Sequence, residues 1–138
     1  MEQRTRDFFA NYEAANSAAD AERIGSLYAD VFMFGGPNGV KSVKKEDFLK
    51  VIPKMKAYFG SLGLRKTELQ SVEASEISSR YWLAKVGWRM TIAHDDCLDT
   101  VATYILERSE DQQLAIVFQI DHQDLATMVK ERLADQAP

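Results

Sequence analysis

The chain has 138 residues, 46% of them apolar and 28% charged, which fits a single domain over residues 1–138 with one core. Its 21 acidic and 17 basic residues leave a net charge of -4 with no basic block, so nucleic acid is not an expected partner. No apolar run approaches the ~20 residues of a membrane helix, and the opening "MEQRTRDFFANYEAAN" lacks a signal-type apolar stretch, so no membrane role is expected.

The expected compartment is the cytoplasm, and the single cysteine, Cys97, agrees with a reducing environment because it has no internal partner for a disulfide. There is no repeat or low-complexity tract. The final "ADQAP" is expected to fray.

From Phe8 the apolar residues Phe8, Phe9, Tyr12, Ala15 and Ala19 recur at steps of three and four, the mark of one side of a helix. Asp20 suits an N-cap, and Ile24, Leu27, Tyr28 and Val31 continue a second apolar stripe. The stretch "YADVFMFGGPNGVKS" then reads as a helix end, a short apolar strand and a glycine-proline turn leading into the next helix. Ser42 can cap that helix, Glu46 and Asp47 favour its positive end, and Phe48, Val51, Ile52, Met55, Phe59 and Leu62 form its stripe. Pro53 predicts a kink or restart near residues 49–53, and Gly60 and Gly63 offer a left-handed stop.

Beyond Leu64 the period falls to two. "YWLAKVGWRMTIA" places Trp82, Ala84, Val86, Trp88, Met90 and Ile92 on one face, and Tyr81, Leu83, Lys85, Gly87, Arg89 and Thr91 on the other. "HDDC" is a polar turn, Leu98 to Arg108 returns, "SEDQQ" turns again, and Leu114 to Asp121 is the last strand of an antiparallel meander. "KTELQSVEASEI" is expected to pair with it. Asp121 can cap a final helix with the stripe Leu125, Met128, Val129 and Leu133. The fold class is therefore α+β: a cone-shaped, curved antiparallel sheet, its concave face covered by N-terminal helices, with an extra C-terminal helix.

Tyr12, "DAERI" from Asp20, "YAD" at Tyr28 and a proline nine residues after Tyr28 stand together at spacings that resemble the nuclear transport factor 2-like superfamily, which includes the SnoaL-like cyclases and ketosteroid isomerase. In the isomerase, the resemblance implies, the tyrosine at the place of Tyr12 donates to the developing oxyanion and that at Tyr28 supports it. The isomerase's base is an aspartate just before the proline, and that position is Gly36 here. Its second oxyanion acid is not recovered either, since the matching strand face carries Thr100, Ala102, Tyr104 and Leu106. A proton abstraction needs a group of suitable pKa in reach of the substrate carbon, and glycine has none.

The residues then support three functions. The first is a binder of a small hydrophobic or aromatic metabolite, its pocket holding Tyr12, Tyr28, Tyr104 and Gln119 among apolar walls from Phe34, Trp88 and Met90, with Phe118 and Trp82 beside them. The second is a SnoaL-like cyclase, isomerase or hydrolase in which Asp121 or His122, from "FQIDHQD", is the acid–base group and Tyr12 the oxyanion donor. The third is an interaction module acting through the sheet face of Tyr81, Leu83, Lys85 and Arg89. In proteins of the family that face commonly forms a two-fold homodimer, which is expected here. "HDDCLD" holds five possible metal ligands but lacks a second cluster, so neither a metal site nor any other cofactor is expected.

Overall fold

Thr5, Phe9 and Ala15 are buried along α1 (Glu2–Ser17), the first element of a computed structural model that describes residues 2–136. Asp20 caps α2 (Ala21–Gly25), its carboxylate accepting from the Arg23 backbone N–H at 3.1 Å. The helix ends there. Tyr28 and Val31, expected on its stripe, instead open β1 (Tyr28–Gly36), where Tyr28 is buried and Val31 exposed. Tyrosine and valine suit a strand well, and backbone pairing on both sides, with the strands that begin at Gly39 and Leu114, holds the segment extended.

The glycine-proline turn joins two strands, not a strand and a helix. Pro37 and Asn38 close a two-residue hairpin to β2 (Gly39–Lys44), with Gly36 paired to Gly39, whose φ of 122° only glycine adopts readily. Ser42 therefore lies in β2 and caps nothing. Helix α3 (Lys45–Leu62) starts after Lys44 with no side-chain cap, holds Glu46 and Asp47 in its first turn, and continues through Pro53 without restarting. Of its expected stripe, Ile52 is buried while Val51 and Met55 are exposed. Gly63 ends it in the left-handed region at φ 109°.

The remaining strands are β3 (Lys66–Glu76), β4 (Tyr81–Thr91), β5 (Cys97–Arg108) and β6 (Leu114–Asp121), with a 3-10 turn at Ala93–Asp95 over the "HDDC" segment. The β4-β5-β6 meander and the β3 partner are as expected. The sheet is mixed, however, in the order β2-β1-β6-β5-β4-β3, because β1 runs parallel to β6. The sheet is curved and does not close on itself. A buried set that includes Phe9, Tyr28, Phe32, Val86, Leu106 and Ile116 fills its concave side beneath the helices.

Helix α4 (Leu125–Gln136) buries Val129. Its start is held by Asp124, which accepts from the Thr127 backbone N–H, so Asp121 is free of the capping role expected of it. Of the terminal segment expected to fray, Ala134 to Gln136 are helical, and Ala137 and Pro138 lie outside the described residues. Among the described residues no helix is long and apolar enough to cross a membrane.

Candidate functional site

A cavity of about 440 Å³ lies between α3, the second half of α1 and the concave sheet face. Ile52, Met55 and Phe59 of α3 face Trp88 and Met90 of β4 across it, while Tyr12, Tyr104, Gln119 and Asp121 add polar atoms. The even-numbered alternation of β4 and β5 puts Trp88, Met90 and Tyr104 inward, and the odd-numbered alternation at the end of β6 does the same for Gln119 and Asp121, because every second side chain of a strand shares a face.

Four of the polar groups form one chain. The Gln119 amide donates through Nε2 to Asp121 Oδ1 at 3.0 Å, which turns its Oε1 toward Tyr28, whose hydroxyl donates to it at 2.5 Å. Tyr28 has a single proton, so the 2.7 Å contact between the two phenols is a donation from Tyr12 to Tyr28. Tyr104 is different. Its oxygen accepts from Trp88 Nε1 at 3.2 Å, and among the described residues no acceptor takes its own proton.

All three phenols stay neutral at physiological pH. Burial pushes Tyr12 up to about 12, and burial pushes Tyr28 and Tyr104 well above the ordinary tyrosine value. Burial also raises the Asp121 carboxyl, and the Gln119 amide opposes that rise by stabilising the charged form.

Sequence reasoning placed Tyr12, Trp88, Met90, Tyr104, Gln119 and Asp121 at a pocket, and all six line this cavity. Tyr28 stands behind Tyr12 in the chain of hydrogen bonds. Phe34 is half-buried and is not part of the lining, and Trp82 is not part of it either. Phe118 lies on the outer face, 3.4 Å from where a Cβ on Gly35 would stand. His122 is exposed, with Nε2 2.7 Å from Thr103 Oγ1 on that outer face, because it follows the inward-facing Asp121.

Gly36 does not line the cavity, and a Cβ built there would meet nothing within 4 Å. The "HDDC" segment is occupied structurally: Asp96 is held by Arg132 and Gln136, and the Arg132 hydrogen bond is the main reason its carboxyl sits below the usual range. Among the described residues no three His, Cys, Asp or Glu side chains gather as a metal site.

Lys56, Arg65 and Asn16 also line the cavity and were missed. The signal for Lys56 was present, since it follows Ile52 by four and precedes Phe59 by three, on the apolar face of α3. Arg65 and Asn16 carry no such periodic mark.

A curved mixed sheet with helices over its concave face and a cavity between them defines the nuclear transport factor 2-like fold, and this chain has that fold. It is similar to an NTF-2-like protein of unknown function from Shewanella oneidensis, at 15% identity and a TM-score of 0.69 over 86% of this chain and 96% of that one. A ketosteroid isomerase-like protein from Erwinia carotovora is similar at 14% identity and 0.63, over 85% and 91% of the two chains. ActVI-ORFA from Streptomyces coelicolor is similar at 12% identity and 0.70, over 88% and 95%. No family model matches the sequence, and no curated protein does. At these identities the likeness is one of fold.

Proposed function

We propose that the chain binds a small hydrophobic or aromatic metabolite in this cavity. The observation that carries the reading is the Tyr104 hydroxyl, a buried donor with no acceptor among the described residues, beside the apolar walls from α3 and β4. A volume of about 440 Å³, mostly apolar with a few convergent polar groups, suits a ligand of drug size. Tyr104 then donates to a carbonyl or hydroxyl of the ligand, and Tyr12, its proton committed to Tyr28, offers an oxygen lone pair.

Thermal shift with a panel of steroids, aromatic polyketides and terpenoids tests this reading. Stabilisation by a panel member that weakens in Tyr104→Phe supports it, as mass action requires. A panel without effect overturns it.

A second reading, acid–base catalysis of the isomerase or cyclase kind, is favoured by one observation: Asp121 lines the cavity with a carboxyl raised by burial. Asp121 replaces Gly36 as the base, Tyr104 takes the oxyanion-donor role first expected of Tyr12, and the exposed His122 takes no part. Hydrogen–deuterium exchange at the α-carbon of a bound ketone, abolished in Asp121→Asn, supports it, and unchanged exchange in that variant overturns it.

The same proposal includes a homodimer through the outer sheet face and a cytoplasmic setting. Leu83, Ile105, Phe118 and Met33 occupy neighbouring register positions across four strands of that face, and Arg89 with Asp99 flanks them with both charge signs. An apolar row flanked by both charge signs is the kind of surface that can pair with its own two-fold image.

A further inference from the structure

Around the cavity the balance of charge is opposite to that of the chain. The protein carries -4 overall, yet the cavity is lined by Lys56, Arg65 and Lys66 against a single carboxylate, Asp121. Lys66 is partly neutralised by Glu68, 3.5 Å away. Among the described residues Lys56 and Arg65 have no carboxylate within 4.0 Å.

Their placement follows from the fold. Lys56 projects from the apolar face of α3, one turn beyond Ile52, and is half-buried. Arg65 sits where α3 turns into β3, its backbone pinned by donation to the Thr91 carbonyl at 2.8 Å. Asp121 belongs to β6, three strand spacings from β3, roughly 14 Å across the sheet, and is engaged with Gln119. Arg65 and Lys66 are exposed, so the cations at the start of β3 stand at the rim of the cavity, across the sheet from the hydrogen-bonded Asp121.

A surface lysine that only lays its stem along apolar atoms keeps its ammonium in water. Burial lowers the pKa of Lys56, so its head is partly desolvated and lacks the counter-charge that would offset this. An anion bound beside it would supply that counter-charge.

We infer that the cavity takes an amphipathic organic acid, an apolar ring or chain bearing one carboxylate or sulfonate, with the anion against Lys56 and Arg65 and the apolar body between Ile52, Phe59, Trp88 and Met90. The inference rests on the ligand-binding reading above and narrows it to a chemical class. An anion held there leaves the far end of the ligand facing Tyr104.

The test uses two fluorescent probes with one ring skeleton: 8-anilinonaphthalene-1-sulfonate and its uncharged parent, N-phenyl-1-naphthylamine. Both are titrated into the wild type, and into Lys56→Met, Arg65→Gln and the double variant, with near-ultraviolet circular dichroism checking that each is folded. The wild type is expected to bind the sulfonate about tenfold more tightly than the parent, at a stoichiometry of one and in mutual competition. The double variant is expected to lose that preference while still binding the parent, and salt to erode it in the wild type.

Equal affinity of the wild type for both probes, or a preference that survives in the folded double variant, overturns the inference and leaves the ligand-binding reading standing. Failure of both probes to bind overturns the inference together with that reading.

Discussion

The hydroxyls of Tyr12 and Tyr28 stand 2.7 Å apart, one from the middle of α1 and the other from the first residue of β1. Tyr28 passes the contact on to Gln119, so Tyr28→Phe removes a donor from a buried amide oxygen and an acceptor from Tyr12. Leaving buried partners unmet costs about 2 kcal/mol. The variant should show a lower urea midpoint with an unchanged slope, and a midpoint equal to the wild type's would mean the chain of hydrogen bonds contributes no net stability.

Asp121 gives a pH dependence of definite sign. Its folded pKa is raised by burial, so its contribution favours the folded state at pH values below its unfolded pKa and is lost as pH rises through the folded value. Asp121→Asn should therefore be more stable than the wild type at pH 7, by about 3 °C in Tm for a gain of ~1 kcal/mol. That advantage should vanish near pH 3. Thermal melts across this range check it, and a variant less stable at pH 7 would show that the carboxylate's partners outweigh its burial.

Gly63 terminates α3 at φ 109°, and a Cβ there would meet only ordinary contacts, at 3.5 Å from Ala93 and Leu133. The cost of Gly63→Ala is thus one of backbone conformation and not of space. It should be about 1–2 kcal/mol, read from chemical denaturation. By contrast Gly36→Ala, in open space and without a positive φ, should change stability by less than about 0.5 kcal/mol.

The outer face gives a prediction about assembly. Leu83→Glu or Phe118→Glu places a carboxylate in the apolar row and its two-fold image opposite, and should convert a dimer to a monomer in sedimentation velocity. A wild type that sediments as a monomer at high concentration would remove the dimer from the proposal.

Periodicity is a local property, and what depends on it was legible in the sequence. The helix around Phe9, the apolar face of "WLAKVGWRM", the meander and the stop at Gly63 all follow from side-chain spacing and from the φ that glycine allows. Tyr28, Ser42 and Asp121 can each serve as a helix stripe or cap residue, and three different contacts remove that option: pairing of Tyr28 with the distant Ile116, pairing of Ser42 across the hairpin with Met33, and the capping of α4 by Asp124 in place of Asp121. Of these, only the parallel β1-β6 pair joins segments far apart in the chain.

Alternation also shows that Asp121 and His122 face opposite ways, but not which of them faces inward. The covering of the concave face by α3 decided that, and with it that Asp121 lines the cavity while His122 meets Thr103 outside. The same holds for the hydrogen-bond chain. Tyr28 and Gln119 lie 91 residues apart, and nothing in the neighbourhood of either encodes the partner. Residue type and spacing determined what each element could be; the direction of every proton in the site was left to tertiary packing, because a hydrogen bond needs two groups within about 3 Å and only the fold brings these together.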